Sequence, residues 1–218
     1  MARTIVYIDG FNLYYRALRG TPHKWLDIAA MSAASLPATC QIERINYYTA
    51  HVSGRVDRDA PRHQHAYLRA IATLPNVVIH FGNFMVNQKW AGVVQPPNFR
   101  PLVTQPAVPD PQVAFVWKTE EKGSDVNLGV HLVRDAFKGS FDVAAVLTND
   151  TDLVEPVRIV TQELGMHVTL LTPGPKAAGS LAQVSSSVRH IQPYIGPCQL
   201  PDPVPVPGKR PIAKPANW

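Results

Sequence analysis

The chain alternates short β-branched apolar runs with segments whose apolar residues recur every three or four positions. Residues 4–8 form the first such run, and Gly10 after Asp9 permits a sharp turn into a helical segment over 12–18. A second helix is predicted over 27–36, with Asp27 as its cap and Pro37 as its stop. A strand over 42–50, a basic loop over 53–61, a helix ending near residue 74 and a strand over 77–81 follow. Further on, 125–137 reads as a helix on which Val126, Val130, Val133 and Phe137 recur at helical spacing. Residues 143–147 read as a buried strand, 153–164 as a helix and 168–171 as another strand. Strands that alternate with helices need crossover connections. The expected class is therefore α/β, three-layered α/β/α around a central, mostly parallel sheet.

Two stretches break this rhythm. Residues 83–111 carry six prolines and little apolar periodicity, which predicts an inserted loop over 83–112, with 113–118 as an extended edge element. Beyond residue 172, ten of the last 46 residues are proline, so this part is expected to form neither a helix nor an inner strand. The expected organisation is a catalytic-type domain over 1–172, an extension over 173–196 that returns to it, and a flexible polyproline-like tail over 197–218. Such a tail could engage a partner's aromatic groove.

At 218 residues and 45% hydrophobic, the chain can bury one substantial core. Its net charge of +5 suits a polyanionic partner without demanding one. Cys40 and Cys198 have no metal-ligand or disulfide spacing and read as reduced packing residues. No run reaches membrane-spanning length, and the opening residues pass directly into a strand, so a cytoplasmic location is expected. A homodimer is compatible with all of this. Neither a phosphate-cradling glycine loop nor a dinucleotide fingerprint is present, which leaves an ATPase or dehydrogenase without support.

The chemistry concentrates in four aspartates. Asp9 lies at the end of the first strand, Asp125 at a helix start, and Asp150 and Asp152 just after the strand over 143–147. Taken singly, each is an ordinary turn or cap residue. Taken together, they gather in one crevice if the strands ending at Asp9 and before Asp150 are neighbours. Clustered carboxylates repel one another, and a divalent cation resolves that conflict. Oxygen ligands without His or Cys favour Mg²⁺ or Mn²⁺, as one ion or two. The implied reaction is phosphodiester hydrolysis by a metal-activated water. Asn12, three residues after Asp9, is placed to orient a carboxylate.

These segments, Tyr7-Ile-Asp9-Gly-Phe-Asn12-Leu-Tyr, Lys122-Gly-Ser-Asp125-Val-Asn-Leu and Thr148-Asn-Asp150-Thr-Asp152-Leu, with Gly165-Met-His-Val168 after them, resemble the NYN domain. This is a branch of the PIN-like nuclease superfamily, and the likeness is nearest to its bacterial LabA-like group. It spans residues 3–172 in family order. The resemblance implies a parallel sheet with a metal-dependent ribonuclease site at its carboxyl edge. Asp9, Asp125, Asp150 and Asp152 would then be catalytic residues and metal ligands, with Asn12 as their polar companion. Where many relatives read Ser-Gly-Asp-Ser-Asp, this chain has Thr148-Asn149-Asp150-Thr151-Asp152, keeping the acids and altering their small neighbours.

For substrate contacts, Lys122 falls inside the family motif, and Lys118 and Asn149 flank the acids. Arg55 and Arg58, with Arg62, His63 and His65, form a basic stretch that could follow an RNA backbone. Trp90, Phe99 and Arg100 could stack on unpaired bases. His51 and His80, near strand ends, receive no role. The leading expectation is a ribonuclease for single-stranded or loop RNA, with DNA as an open alternative substrate. Its rival is a non-catalytic RNA-binding module that retains the acidic pocket. A haloacid-dehalogenase-type phosphatase needs an acid two residues after Asp9, where this chain has Phe11.

Overall fold

The computed structural model describes residues 1–55, 57–94, 112–216 and 218. Six parallel strands build the central sheet in the order β3-β2-β1-β6-β7-β8. They are β1 (Ala2–Asp9), β2 (Cys40–Thr49), β3 (Val77–Phe81), β6 (Val143–Leu147), β7 (His167–Thr172) and β8 (Ser187–His190). The remaining two, β4 (Asn83–Gly92) and β5 (Val113–Lys122), form a separate antiparallel ribbon.

Strand β1 lies at the centre and alternates its side chains between two cores. Val6 and Ile8 join Ile45 and Tyr47 of β2 beneath α2 (Ile28–Ser35) and α3 (Ala60–Ile71). Ile5 and Tyr7 face the other way, into a core with α4 (Ser124–Phe137), α5 (Val154–Arg158) and α6 (Gly179–Val184). Burial on both faces explains why its sequence is a continuous apolar run rather than an alternating one. The three-layer α/β/α architecture is thus the observed one. Asp27 caps α2 as expected, its carboxylate accepting from the Ala29 and Ala30 amides at 2.9 Å each.

Three local readings are corrected: beyond residue 172, where proline content predicts no helix, α6 and the short helix Gln192–Ile195 form, and the loop over 83–112 and the free tail are the other two. The stripe Val126, Val130 and Phe137 on α4 is not its core face: these residues are 62%, 58% and 69% exposed, while Leu128, Leu132 and Ala136 are buried. The helix carries two apolar stripes, and periodicity alone does not say which one meets the sheet.

The predicted inserted loop over 83–112 begins instead as strand β4. Asn83 to Gly92 pair with Lys122 to Val113 in ten consecutive antiparallel positions. The prolines of that stretch begin at Pro96, past the end of β4, so they do not interrupt its two-residue alternation. Residues 95–111, including Phe99 and Arg100, lie outside the described residues.

The tail over 197–218 is packed, not free. Leu200, Val204 and Ile212 are buried in the core beneath α2 and α3. Trp218 meets Trp25 edge-on at 5.7 Å and Tyr67 at 5.3 Å, and stacks on His63. The Trp25 indole donates to the Pro201 carbonyl at 3.0 Å. Proline cannot join a helix or inner strand, but it loses little entropy on folding and offers an apolar ring. The aromatic groove that this tail meets is in its own domain.

Among the described residues, no helix is long and apolar enough to cross a membrane. Cys40 and Cys198 are both free thiols, half-buried against the core.

Candidate functional site

Strand order reverses between β1 and β6: β2 and β3 extend from β1 on one side, β7 and β8 from β6 on the other. In such sheets the two crossovers diverge at this point and leave a crevice at the carboxyl edge. Ile8 pairs with Leu147, so the next residues, Asp9 and Thr148, emerge side by side. The expectation that these strands are neighbours holds.

Asp9 is 7% exposed and caps α1 (Gly10–Leu13), which continues as a π-helical turn over Tyr14–Leu18. Its Oδ1 accepts from the Asn12 amide at 2.9 Å. Its Oδ2 accepts from Asn12 Nδ2 at 2.8 Å and from the Thr148 hydroxyl at 3.1 Å. Burial raises its pKa above the ordinary 3.8, and the nearby Asp150 charge adds to that rise, while the three hydrogen bonds oppose it. Gly10 is required here, because a Cβ would meet the Tyr47 ring and the Tyr48 carbonyl at 2.7 Å.

Asn12 orients the Asp9 carboxylate and also joins the two strand ends. Its Oδ1 accepts from the Asn149 amide at 3.2 Å and from Arg16 Nε at 2.9 Å. Thr148 and Arg16 were not among the residues singled out from the sequence. Register opposite Asp9 and the i+4 spacing from Asn12 are the signals that could have found them.

Asp150 caps the short turn Thr151–Leu153, accepting from the Asp152 amide at 3.1 Å. Its own amide donates to Thr148 Oγ1 at 3.1 Å, which ties it to the Asp9 side of the crevice. Asn149 is engaged within the protein: it donates to the Lys176 carbonyl and accepts from the Ala178 amide at 2.6 Å. Both ends of its amide hold the segment after β7 instead of facing a substrate.

Asp125 and Asp152 are placed differently. Both lie at the lip of an open groove between α4 and α5, with a volume of about 630 Å³, lined by Val126, Gly129, Val130, Pro156 and Ile159. Asp125 accepts from the adjacent Val126 amide at 2.8 Å. The helices approach closely because position 129 is glycine; a Cβ there would meet Pro156 Cγ at 2.9 Å. Among the described residues, no three His, Cys, Asp or Glu side chains gather as a group able to hold a metal ion. The four acids thus divide into an Asp9–Asp150 pair in the crevice and an Asp125–Asp152 pair at the groove.

Of the basic candidates, Lys118 and Lys122 lie on the ribbon and Arg55 reaches it. Lys118 and Lys122 both pair with Glu120, the latter at 3.5 Å. Arg55 places its guanidinium 4.7 Å from the Trp117 ring centroid, and Arg58 is exposed in the loop before α3. His51 stacks on Phe81 and His80 on Tyr48, as packing residues do.

Comparison with known proteins gives this geometry a family. The model of the NYN domain matches residues 3–192. Among curated proteins, the chain is 31% identical over 241 positions to the 6-hydroxy-3-succinoylpyridine 3-monooxygenase HspA of Pseudomonas putida, covering 99% of this chain and 75% of that protein. Among solved structures, a protein of unknown function from Vibrio parahaemolyticus aligns with a TM-score of 0.50 at 14% identity. That alignment covers 87% of this chain and 93% of the other, and it shows a shared fold. The strand ends that carry Asp9 and Asp150 lie inside the matched family region, and this chain belongs to the NYN-domain family.

Proposed function

We propose that the chain is a divalent-metal-dependent ribonuclease that hydrolyses single-stranded or loop RNA and leaves 5′-phosphate and 3′-hydroxyl ends. One observation carries this reading: a buried carboxylate, Asp9, is held by three donors beside Asp150 at the crevice where strand order reverses. Asn12 and Thr148 fix the orientation of Asp9 and, among the described residues, leave Oδ1 with an unused acceptor direction.

The donor set suits Mg²⁺ or Mn²⁺. Asp9 and Asp150 are oxygen ligands, and such ions take few protein carboxylates and fill their other positions with water and phosphate. When bound, the cation would supply Lewis-acid activation of water and neutralise charge on the scissile phosphate. Asp125 and Asp152 would align the substrate or the attacking water from the groove side.

The test is incubation of the purified chain with labelled single-stranded RNA and DNA in Mn²⁺, Mg²⁺ or chelator, beside Asp9→Asn. Metal-dependent cleavage by the wild type and none by a folded Asp9→Asn is the expected result. Equal cleavage by both would overturn it, and RNA binding without cleavage in any cation would make the domain a non-catalytic module.

A second reading rests on the HspA likeness over nearly the whole chain. Under it, the apolar groove between α4 and α5, about 630 Å³, would take a hydroxypyridine ring, since small-molecule sites are mostly apolar with a few polar groups at the edge. Oxygen consumption with 6-hydroxy-3-succinoylpyridine and a two-electron reductant would favour this activity. No consumption, beside metal-dependent RNA cleavage, favours the first.

A further inference from the structure

The β4–β5 ribbon presents two unlike faces. In its antiparallel register Trp90 lies opposite Phe115, and Gln88 opposite Trp117, so the three aromatic side chains share one face. The Trp90 and Phe115 rings lie 5.2 Å apart, and Arg55 covers part of Trp117. All three remain open to solvent, at 67%, 54% and 48% exposure, whereas Trp25 in the core is 1% exposed.

The opposite face pairs Lys89 with Val116, Asn87 with Lys118 and Asn83 with Lys122. Glu120 lies between Lys118 and Lys122 and balances one of their charges. Desolvation, and then repulsion from Lys89 and Lys122, lowers the Lys118 pKa from its ordinary 10.5, in keeping with crowded cations.

A two-stranded ribbon has no layer of its own to cover such side chains. A wide aromatic face with a cation on it, here Arg55, suits unpaired bases, because every base offers a π-face and every nucleotide a phosphate. The ribbon is also rooted at the proposed site. Gly82, just before β4, donates to the Thr49 carbonyl at 2.7 Å, one residue beyond Tyr48, the partner of Asp9 in the sheet. At its other root, β5 passes through Gly123, with a φ of 93°, directly into the helix that carries Asp125.

We propose that the Trp90, Phe115 and Trp117 face is a stacking platform for unpaired bases of a single-stranded RNA whose backbone reaches the Asp9 crevice. The identity of this ligand rests on the ribonuclease reading. The platform places substrate binding outside the acidic site, so binding and turnover separate.

Anisotropy of a short fluorescent oligouridylate with the full chain, in chelator so that nothing is cut, provides the test. Trp90→Ala and Trp117→Ala should each weaken binding roughly 5- to 150-fold, the usual range for one base–aromatic stack. Phe137→Ala, which removes an equally exposed ring from α4, should leave affinity unchanged. Equal affinity in both tryptophan variants, or no RNA binding by the wild type, would overturn the platform. So would sedimentation showing a wild-type dimer that the tryptophan variants convert to monomer, since the face would then meet a second copy. If the tryptophan variants lose binding while Asp9→Asn still cleaves, the platform stands and the nuclease assignment of Asp9 falls. If Asp9→Asn is inactive and the tryptophan variants bind normally, the reverse holds.

Discussion

The two acid pairs differ in how much of the protein is committed to holding them. Asp9 is buried, accepts three hydrogen bonds, and is tied through Asn12 and Thr148 to the next strand end. Asp125 and Asp152 stand at the lip of a groove, and among the described residues the only bond that the Asp125 carboxylate accepts is a local one. Burial makes a carboxylate costly to ionise, and three donors in a fixed geometry reduce that cost without removing it. A carboxylate at a groove lip incurs little of that cost. Asp9 is therefore preorganised, and the groove pair is not.

Substitution of Asn12 strikes the link between the two strand ends and has the largest expected effect on stability. Asn12→Ala removes a donor from Asp9 and the acceptor used by Asn149 and Arg16. Loss of one hydrogen bond to a charged group should cost about 1.5–3 kcal/mol in chemical denaturation. Loss of a group that orients a ligand should lower metal-dependent turnover about 10- to 100-fold. Wild-type stability and turnover in this variant would dissolve the distinction between the pairs.

Asp9→Asn separates the roles of that side chain. Because its folded pKa lies above 3.8, the folded state retains a proton that the unfolded chain has lost, so stability falls as pH rises through that interval. The variant should lose this part of the pH dependence and melt no lower than the wild type at neutral pH, while cleavage disappears. Thermal melts from acidic to neutral pH provide the check. A pH dependence unchanged by the substitution would show that burial does not govern Asp9.

The smallest expected effects are those of Asp125→Asn and Asp152→Asn. Neither carboxylate is buried, so each change should fall within about 0.5 kcal/mol of wild-type stability. Any activity change should then come without loss of fold. A stability loss comparable with that of Asn12→Ala would mean that the groove pair is as firmly built in as the crevice pair.

Much of this was legible in the chain. The strands ending before Asp9 and Asp150 are short, apolar and β-branched, and burial on both faces of the sheet leaves them little other composition. The role of Asn12 could be read because a side chain three residues after a capping Asp lies within hydrogen-bond reach. The role of Asn149 could not, since its partners, Lys176 and Ala178, belong to a segment remote in sequence. The helices beyond residue 172, the strand hidden in the supposed loop and the packed tail were misread for a common reason. Periodicity and proline content describe what a segment can form alone, not which surface it meets.

By itself, then, the sequence determined the α/β alternation, the four acids and their positions at strand ends and helix starts, because these follow from local spacing and turn chemistry. The tertiary structure decided that Asp9 and Thr148 emerge side by side, that the acids divide into two pairs, and that Trp218 closes onto Trp25 and Tyr67. Those outcomes depend on strand order and on contacts between residues far apart in the chain, which no local pattern records.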